Sequence, residues 1–146
     1  MPGKFDDGVA WGRLLSVHAA MMHKLEELLQ TQYHISHGEF EVLLRLSWAD
    51  GHRMRIRDLA DASVLTRSGM SRLVDRLEKA GLVRSEAASE DARGAYAVLT
   101  PAGRERLDAA EDADIALVRR EFLSLYSQDE LDQMAGFWQR FLDHQK

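Results

Sequence analysis

No cysteine occurs anywhere in the 146 residues. That excludes disulfide frameworks, thiolate metal sites and cysteine nucleophiles, and it suits a reducing cytoplasm, the expected location. Proline is almost as scarce: Pro2 and Pro101 are the only two, which leaves room for long helices. No stretch approaches the roughly 18 consecutive apolar residues of a membrane span. The segment from Met1 to Gly8 holds Lys4, Asp6 and Asp7 and no apolar run, so it does not read as a secretory signal. A phosphate-binding glycine loop, a nucleophile elbow, a zinc-helix motif and a dinucleotide fingerprint are all missing. Nothing in the sequence points to an enzyme, and no cofactor is expected.

What is present is a chain with 45% apolar residues, enough for a packed core, and a formal net charge of −5. Taken whole, that charge argues against nucleic acid. Its distribution argues the other way. Residues 53–93 carry nine basic and seven acidic residues, a net +2, between flanks of −3 and −4. Within 53–76 there are six arginines and three aspartates. A basic middle between acidic ends is the electrostatic footprint expected of a nucleic-acid surface.

The periodicity predicts six helices and a small hairpin. Leu14, His18, Met21, Leu25 and Leu28 recur at helical spacing in a first helix over about 9–32, with Leu15, Met22 and Leu29 as a second stripe. Ser36 to Glu39 reads as a capping box opening a helix to Trp48, with Phe40, Leu43 and Leu44 inward. Asp50-Gly51 is a turn. Arg53 to Arg57 reads as a short strand running into a helix that stops near Ser63. Thr66 is placed to cap the next helix, and Gly81 to end it in a left-handed conformation. Two short strands, 82–85 and 95–99, flank a polar tip. Thr100-Pro101 starts a fifth helix, with Leu107, Ile115, Val118, Phe122 and Leu125 inward. Ser127 to Glu130 opens a sixth, with Leu131, Met134, Trp138 and Phe141 spaced by three, four and three.

Two short helices joined by a tight turn and followed by a charged hairpin make a winged helix-turn-helix. The fold class is therefore mainly α with a small β-hairpin wing, flanked by N- and C-terminal helices. The helix from Thr66 buries Met70, Leu73, Val74 and Leu77, so its other face presents Arg67, Ser68, Ser71, Arg72 and Asp75. The DNA major groove admits one helix; arginine grips guanine with two hydrogen bonds, and serine and threonine reach bases or phosphates. Gly69 inside that helix costs about 1 kcal/mol against alanine, so it signals a close approach there. At the hairpin tip, Arg93 suits a narrow minor groove, and Asp91 suits bracing of the loop.

Leu59-Ala60, the run from Met70 to Arg84, Asp91-Ala92-Arg93 and Val98 to Gly103 together resemble the MarR (multiple antibiotic resistance regulator) family. The shared pattern is R-L-x-x-x-G-L-V closing the recognition helix, D-x-R in the wing and L-T-x-x-G opening the next helix. The resemblance is strongest over about 55–104. It implies that Thr66 to Arg72 meet the major groove, that Arg93 contacts the minor groove supported by Asp91, and that Arg76 braces the wing through a carboxylate, with Asp91 the candidate. It also implies a homodimer built by the first, fifth and sixth helices on a near-palindromic operator. Residues 1–35 and 101–146 then form the dimerisation region, and 36–100 the DNA-binding domain.

The resemblance further implies repression relieved by a small hydrophobic or aromatic ligand. Trp11, His18, Met21, Met22 and Trp48 are the candidate lining, with ordinary packing as their other reading. No metal site is expected: His34 and His37 are three apart, but where one helix ends and another begins. Two alternatives stay open: a zinc-responsive regulator, and a helical protein-interaction module whose winged helix no longer binds DNA.

Overall fold

The computed structural model describes residues 8–88 and 94–146. Asp91, Arg93 and residues 1–7 lie outside the described residues. Helix α1 (Gly8–Leu28) continues into a π-helical turn (Leu29–Tyr33) closed by His34 in a left-handed conformation, φ 56°. Then come α2 (His37–Trp48), β1 (Arg53–Arg55), α3 (Ile56–Asp61) and α4 (Arg67–Lys79). Strands β2 (Val83–Ala87) and β3 (Ala95–Leu99) form the hairpin, and α5 (Pro101–Glu121) and α6 (Gln128–His144) complete the chain.

The hairpin is part of a three-stranded antiparallel sheet in the order β1-β3-β2. The short strand before α3 was legible in the sequence; its pairing with β3 was not. The register sets Arg55 opposite Tyr96 and Arg53 opposite Val98 on one side of β3. It sets Glu86 opposite Tyr96 and Arg84 opposite Val98 on the other. Side chains alternate along strands, so Arg53, Arg55, Arg84, Glu86 and Tyr96 share one face of the sheet. Met54 and Ala97 belong to the opposite, core-facing side, where Ala97 is buried.

The chain forms two compact units, residues 26–113 and the remaining two ends. The main core lies within 26–113, where Leu43, Leu46, Leu59, Val74, Leu77 and Leu107 are inaccessible to solvent. The start of α2 is locally satisfied. The Ser36 hydroxyl accepts from the Glu39 amide at 3.1 Å and donates to the Glu39 carboxylate at 3.2 Å, while Glu26 of α1 accepts from the His37 amide at 2.9 Å. The serine half of the expected capping box forms, but the glutamate turns toward its own cap hydroxyl. At Ser127, outside this unit, both halves form.

The other unit contains the start of α1, the end of α5 and all of α6. Leu25 and Leu117 are the only buried hydrophobic residues among its described residues. Ile115 and Leu125, expected inward, are instead exposed, and so are Trp138 and Phe141 of the α6 stripe, Phe141 by 64%. Leu14 and Leu15 are also exposed, together with Trp11, Phe137 and Leu142. Their helical spacing marks an apolar face, and one copy of the chain does not cover it. Among the described residues, no helix is long and apolar enough to cross a membrane.

Candidate nucleic-acid interface

Helix α4 is fixed from below and at both ends. Met70, Leu73, Val74 and Leu77 are all buried, each contributing about 1.5–3 kcal/mol by leaving water. At the start, the Thr66 hydroxyl accepts from the Gly69 amide at 3.1 Å and lies 3.2 Å from the Ser68 hydroxyl. At the end, the Gly81 amide donates to the Glu78 carbonyl and the Leu82 amide to the Leu77 carbonyl, each at 2.9 Å. That is a Schellman motif, and Gly81 takes the left-handed φ of 76° it requires. A helix held this way presents its outer face rigidly. Thr66, Arg67, Ser68, Arg72 and Asp75 are exposed there, with Gly69 and Ser71 half-buried.

Gly69 has a reason inside the chain. A Cβ at this position would stand 3.2 Å from the Thr66 hydroxyl oxygen and 3.8 Å from the Leu65 Cβ. Any side chain would crowd the cap. Arg76, expected to brace the wing through a carboxylate with Asp91 the candidate, has its Nε 3.7 Å from Glu39 of α2 instead, and Asp91 lies outside the described residues.

Beside the first turn of α4 is a cleft of about 340 Å³, lined by Arg55, Ile56, Arg57, Arg67, Ser71, Gly94 and Ala95. Of its three arginines, only Arg67 was assigned a role from sequence. The missed signal was the alternation Arg53-x-Arg55-x-Arg57, which places Arg53 and Arg55 on one face of β1 and Arg57 in the first turn of α3. On that face the Arg53 guanidinium carbon lies 4.0 Å from the Tyr96 ring centroid and that of Arg55 5.2 Å. The Arg55 Nε donates to the Tyr96 hydroxyl at 3.3 Å. This hydrogen bond, with the nearby positive charge, holds the Tyr96 phenol below its usual pKa. Glu86 is hydrogen-bonded by Arg84 and lies 3.4 Å from Arg53, and those cations hold its carboxyl low.

The candidate ligand residues are not brought together on one element. Trp11, His18, Met21 and Met22 lie along α1, and Trp48 ends α2, exposed by 72%. Met21 and Met22 are half-buried. A second cavity, of about 470 Å³, falls elsewhere, beside Tyr33, His34, Leu82 and Arg106. No group of three histidine or acidic side chains able to hold a metal occurs among the described residues.

The family model of MarR matches residues 35–94, from the cap of α2 to the base of the wing. AbsC, a MarR family transcriptional regulator from Streptomyces coelicolor, is 33% identical to this chain. It superposes with a TM-score of 0.85 over 97% of this chain and 95% of its own. The chain belongs to the MarR family. Sco3205, a MarR family transcriptional regulator from the same organism solved in complex with DNA, is 26% identical, with a TM-score of 0.84 over 93% of this chain and 85% of its own. The HTH-type transcriptional repressor YetL of Bacillus subtilis (strain 168) is 30% identical over 95 residues. That match spans 65% of this chain and 56%, little more than half, of YetL. These MarR relatives are transcriptional regulators rather than enzymes, in line with the sequence reading, and the winged helix is the architecture they share with this chain.

Proposed function

We propose that this MarR family chain is a homodimeric, sequence-specific DNA-binding repressor whose binding is relieved by a small hydrophobic or aromatic ligand. The observation that carries the DNA reading is the outer face of α4. Arg67, Ser68 and Arg72 stand exposed in the first two turns of a helix capped at both ends and buried along its other side. Such a helix enters a major groove without reorganising, and its arginines match guanine edges. The DNA complex of the related Sco3205 supports the same use of the fold, and repression by YetL supports the sign of regulation.

The dimer is supported by the uncovered apolar face of α1 and α6. Residues 1–35 and 101–146 are its proposed contact region, and 36–100 the DNA-binding region. A two-fold dimer sets its recognition helices about one DNA turn apart, roughly 34–36 Å, and reads a near-palindrome. Asp91 and Arg93 complete the DNA contacts at the wing tip. For the ligand, the half-buried Met21 and Met22 beside exposed Trp11 and His18 are the supporting feature on α1, with Trp48 the further candidate.

The test is selection of random duplexes by the purified protein at two salt concentrations. Enrichment of a palindrome with half-sites about ten base pairs apart, bound less tightly at high salt, establishes the reading. Failure to enrich any sequence overturns it in favour of a protein-interaction module. Release of the selected duplex by aromatic acids or lipophilic compounds tests the ligand response separately.

A further inference from the structure

The cleft beside α4 gathers three guanidinium groups around one small volume, and none of the described residues lining it is acidic. Asp58 touches Arg57 from outside the lining, at 3.7 Å, and both side chains are about half exposed. Guanidinium groups are planar, multi-donor cations matched to oxyanions, and three of them border this one cleft. The Ser71 hydroxyl adds a donor, and Gly94 and Ala95 at the base of the wing leave the wall free of bulk. Arg67 joins the cleft to the exposed face of α4. An anion here would therefore sit at the edge of whatever groove α4 enters, which is where DNA carries its phosphates.

Arg55 is directed toward this cleft by the sheet. It stands directly opposite Tyr96 in the β1–β3 register, and its Nε donates to the Tyr96 hydroxyl. On the other side of β3, Glu86 is opposite Tyr96 and holds Arg53 over the same ring. The stack fixes the long, flexible arginine stems before any partner arrives, so less side-chain freedom is lost on binding.

We propose that this cleft seats one phosphate of the DNA backbone, gripped by Arg55, Arg57 and Arg67, and that Tyr96 is a positioning residue acting through Arg55. The inference rests on the DNA-binding reading above. Such a contact strengthens binding to every duplex alike and carries no base preference.

The experiment measures affinity of the full-length protein for its selected duplex, for single-base-pair variants of it and for a scrambled duplex, across a salt series. Arg57→Ala is expected to weaken all of them by the same factor, roughly tenfold, and to lower the log–log salt slope by about one. Arg57→Lys keeps the slope. Tyr96→Phe weakens all duplexes by an equal, smaller factor, and the double variant Arg55→Ala/Tyr96→Phe binds no worse than Arg55→Ala. A merely structural tyrosine would add its own loss in that double variant. Arg57 is exposed on α3, so its substitution leaves the fold intact, which the melting temperature verifies. Unchanged affinity and slope in Arg57→Ala, or a changed ranking of the single-base-pair variants, overturns the phosphate site while leaving the DNA reading in place. A wild-type protein that ranks no duplex above the scrambled one overturns both.

Discussion

Arg67 and Arg72 leave the same helix with different surroundings. Arg67 lines a cleft with two other arginines, whereas Arg72 stands exposed a turn further along. Arg72→Ala is therefore expected to cost about 1–3 kcal/mol on the selected duplex and to relax preference at one base pair per half-site. Binding to single-base-pair variants measures both effects. Tyr96 offers a second check at this scale. Its pKa is lowered chiefly by the hydrogen bond from Arg55. A depressed folded-state pKa favours the phenolate, so the linked stability is present above the unfolded value and is lost as pH falls through the folded value. An ultraviolet titration is expected to show a tyrosine ionising early, and Tyr96→Phe or Arg55→Ala to remove that phase.

At the scale of elements, the junction between α4, β2 and α5 makes several motif positions sensitive to substitution. Gly81 ends α4, the Thr100 hydroxyl donates to the Gly81 carbonyl at 2.7 Å, and the Thr100 amide donates to the Leu82 carbonyl at 3.1 Å. A Cβ on Gly103 would lie 2.0 Å from that same Leu82 oxygen. Gly103→Ala must push α5 off the backbone of the preceding turn, and an overpacking cost of about 1–3 kcal/mol follows. Gly81→Ala has open space but an unfavourable φ, with a cost of about 1 kcal/mol. Thermal melts of the two variants should rank Gly103→Ala as the more damaging. These elements were legible in the sequence because their signals are local: the Thr66 and Thr100 caps, the Gly81 stop and the buried stripe of α4 each depend on neighbours within a turn. The β1–β3 pairing was not, because it joins residues about forty apart and no local pattern encodes a partner. The basic cleft was missed for the same reason: it needs that pairing to bring Arg55 beside the wing. The apolar stripe of α6 was legible as a periodicity, but Ile115 and Leu125, read as inward, are exposed, because a helical period shows that a face is apolar without saying whether its own chain covers it.

That uncovered face poses the question at the scale of the whole molecule. Trp138, Phe141, Phe137 and Leu142 of α6 and Trp11, Leu14 and Leu15 of α1 are all exposed. A monomer would leave these aromatic and branched side chains in water, an arrangement soluble single chains rarely keep over a large contiguous area. If a second copy covers them, folding and association are linked, and the melting temperature rises with protein concentration. Charged residues placed at the centre of that contact would then have to be buried unpaired. Trp138→Glu/Phe141→Glu is expected to shift the protein from two-chain to one-chain mass in sedimentation and to abolish the concentration dependence of melting. The buried stripe of α4 lies in the other unit, so the recognition helix of the separated chain remains folded. Losing the tether between two half-sites, rather than any contact to a base, should then lower affinity for the full palindrome by roughly 10²–10⁴-fold. Affinity for an isolated half-site should stay nearly unchanged. Equal losses on the palindrome and the half-site would place α1 and α6 in the stability of each chain instead of in the pairing of two.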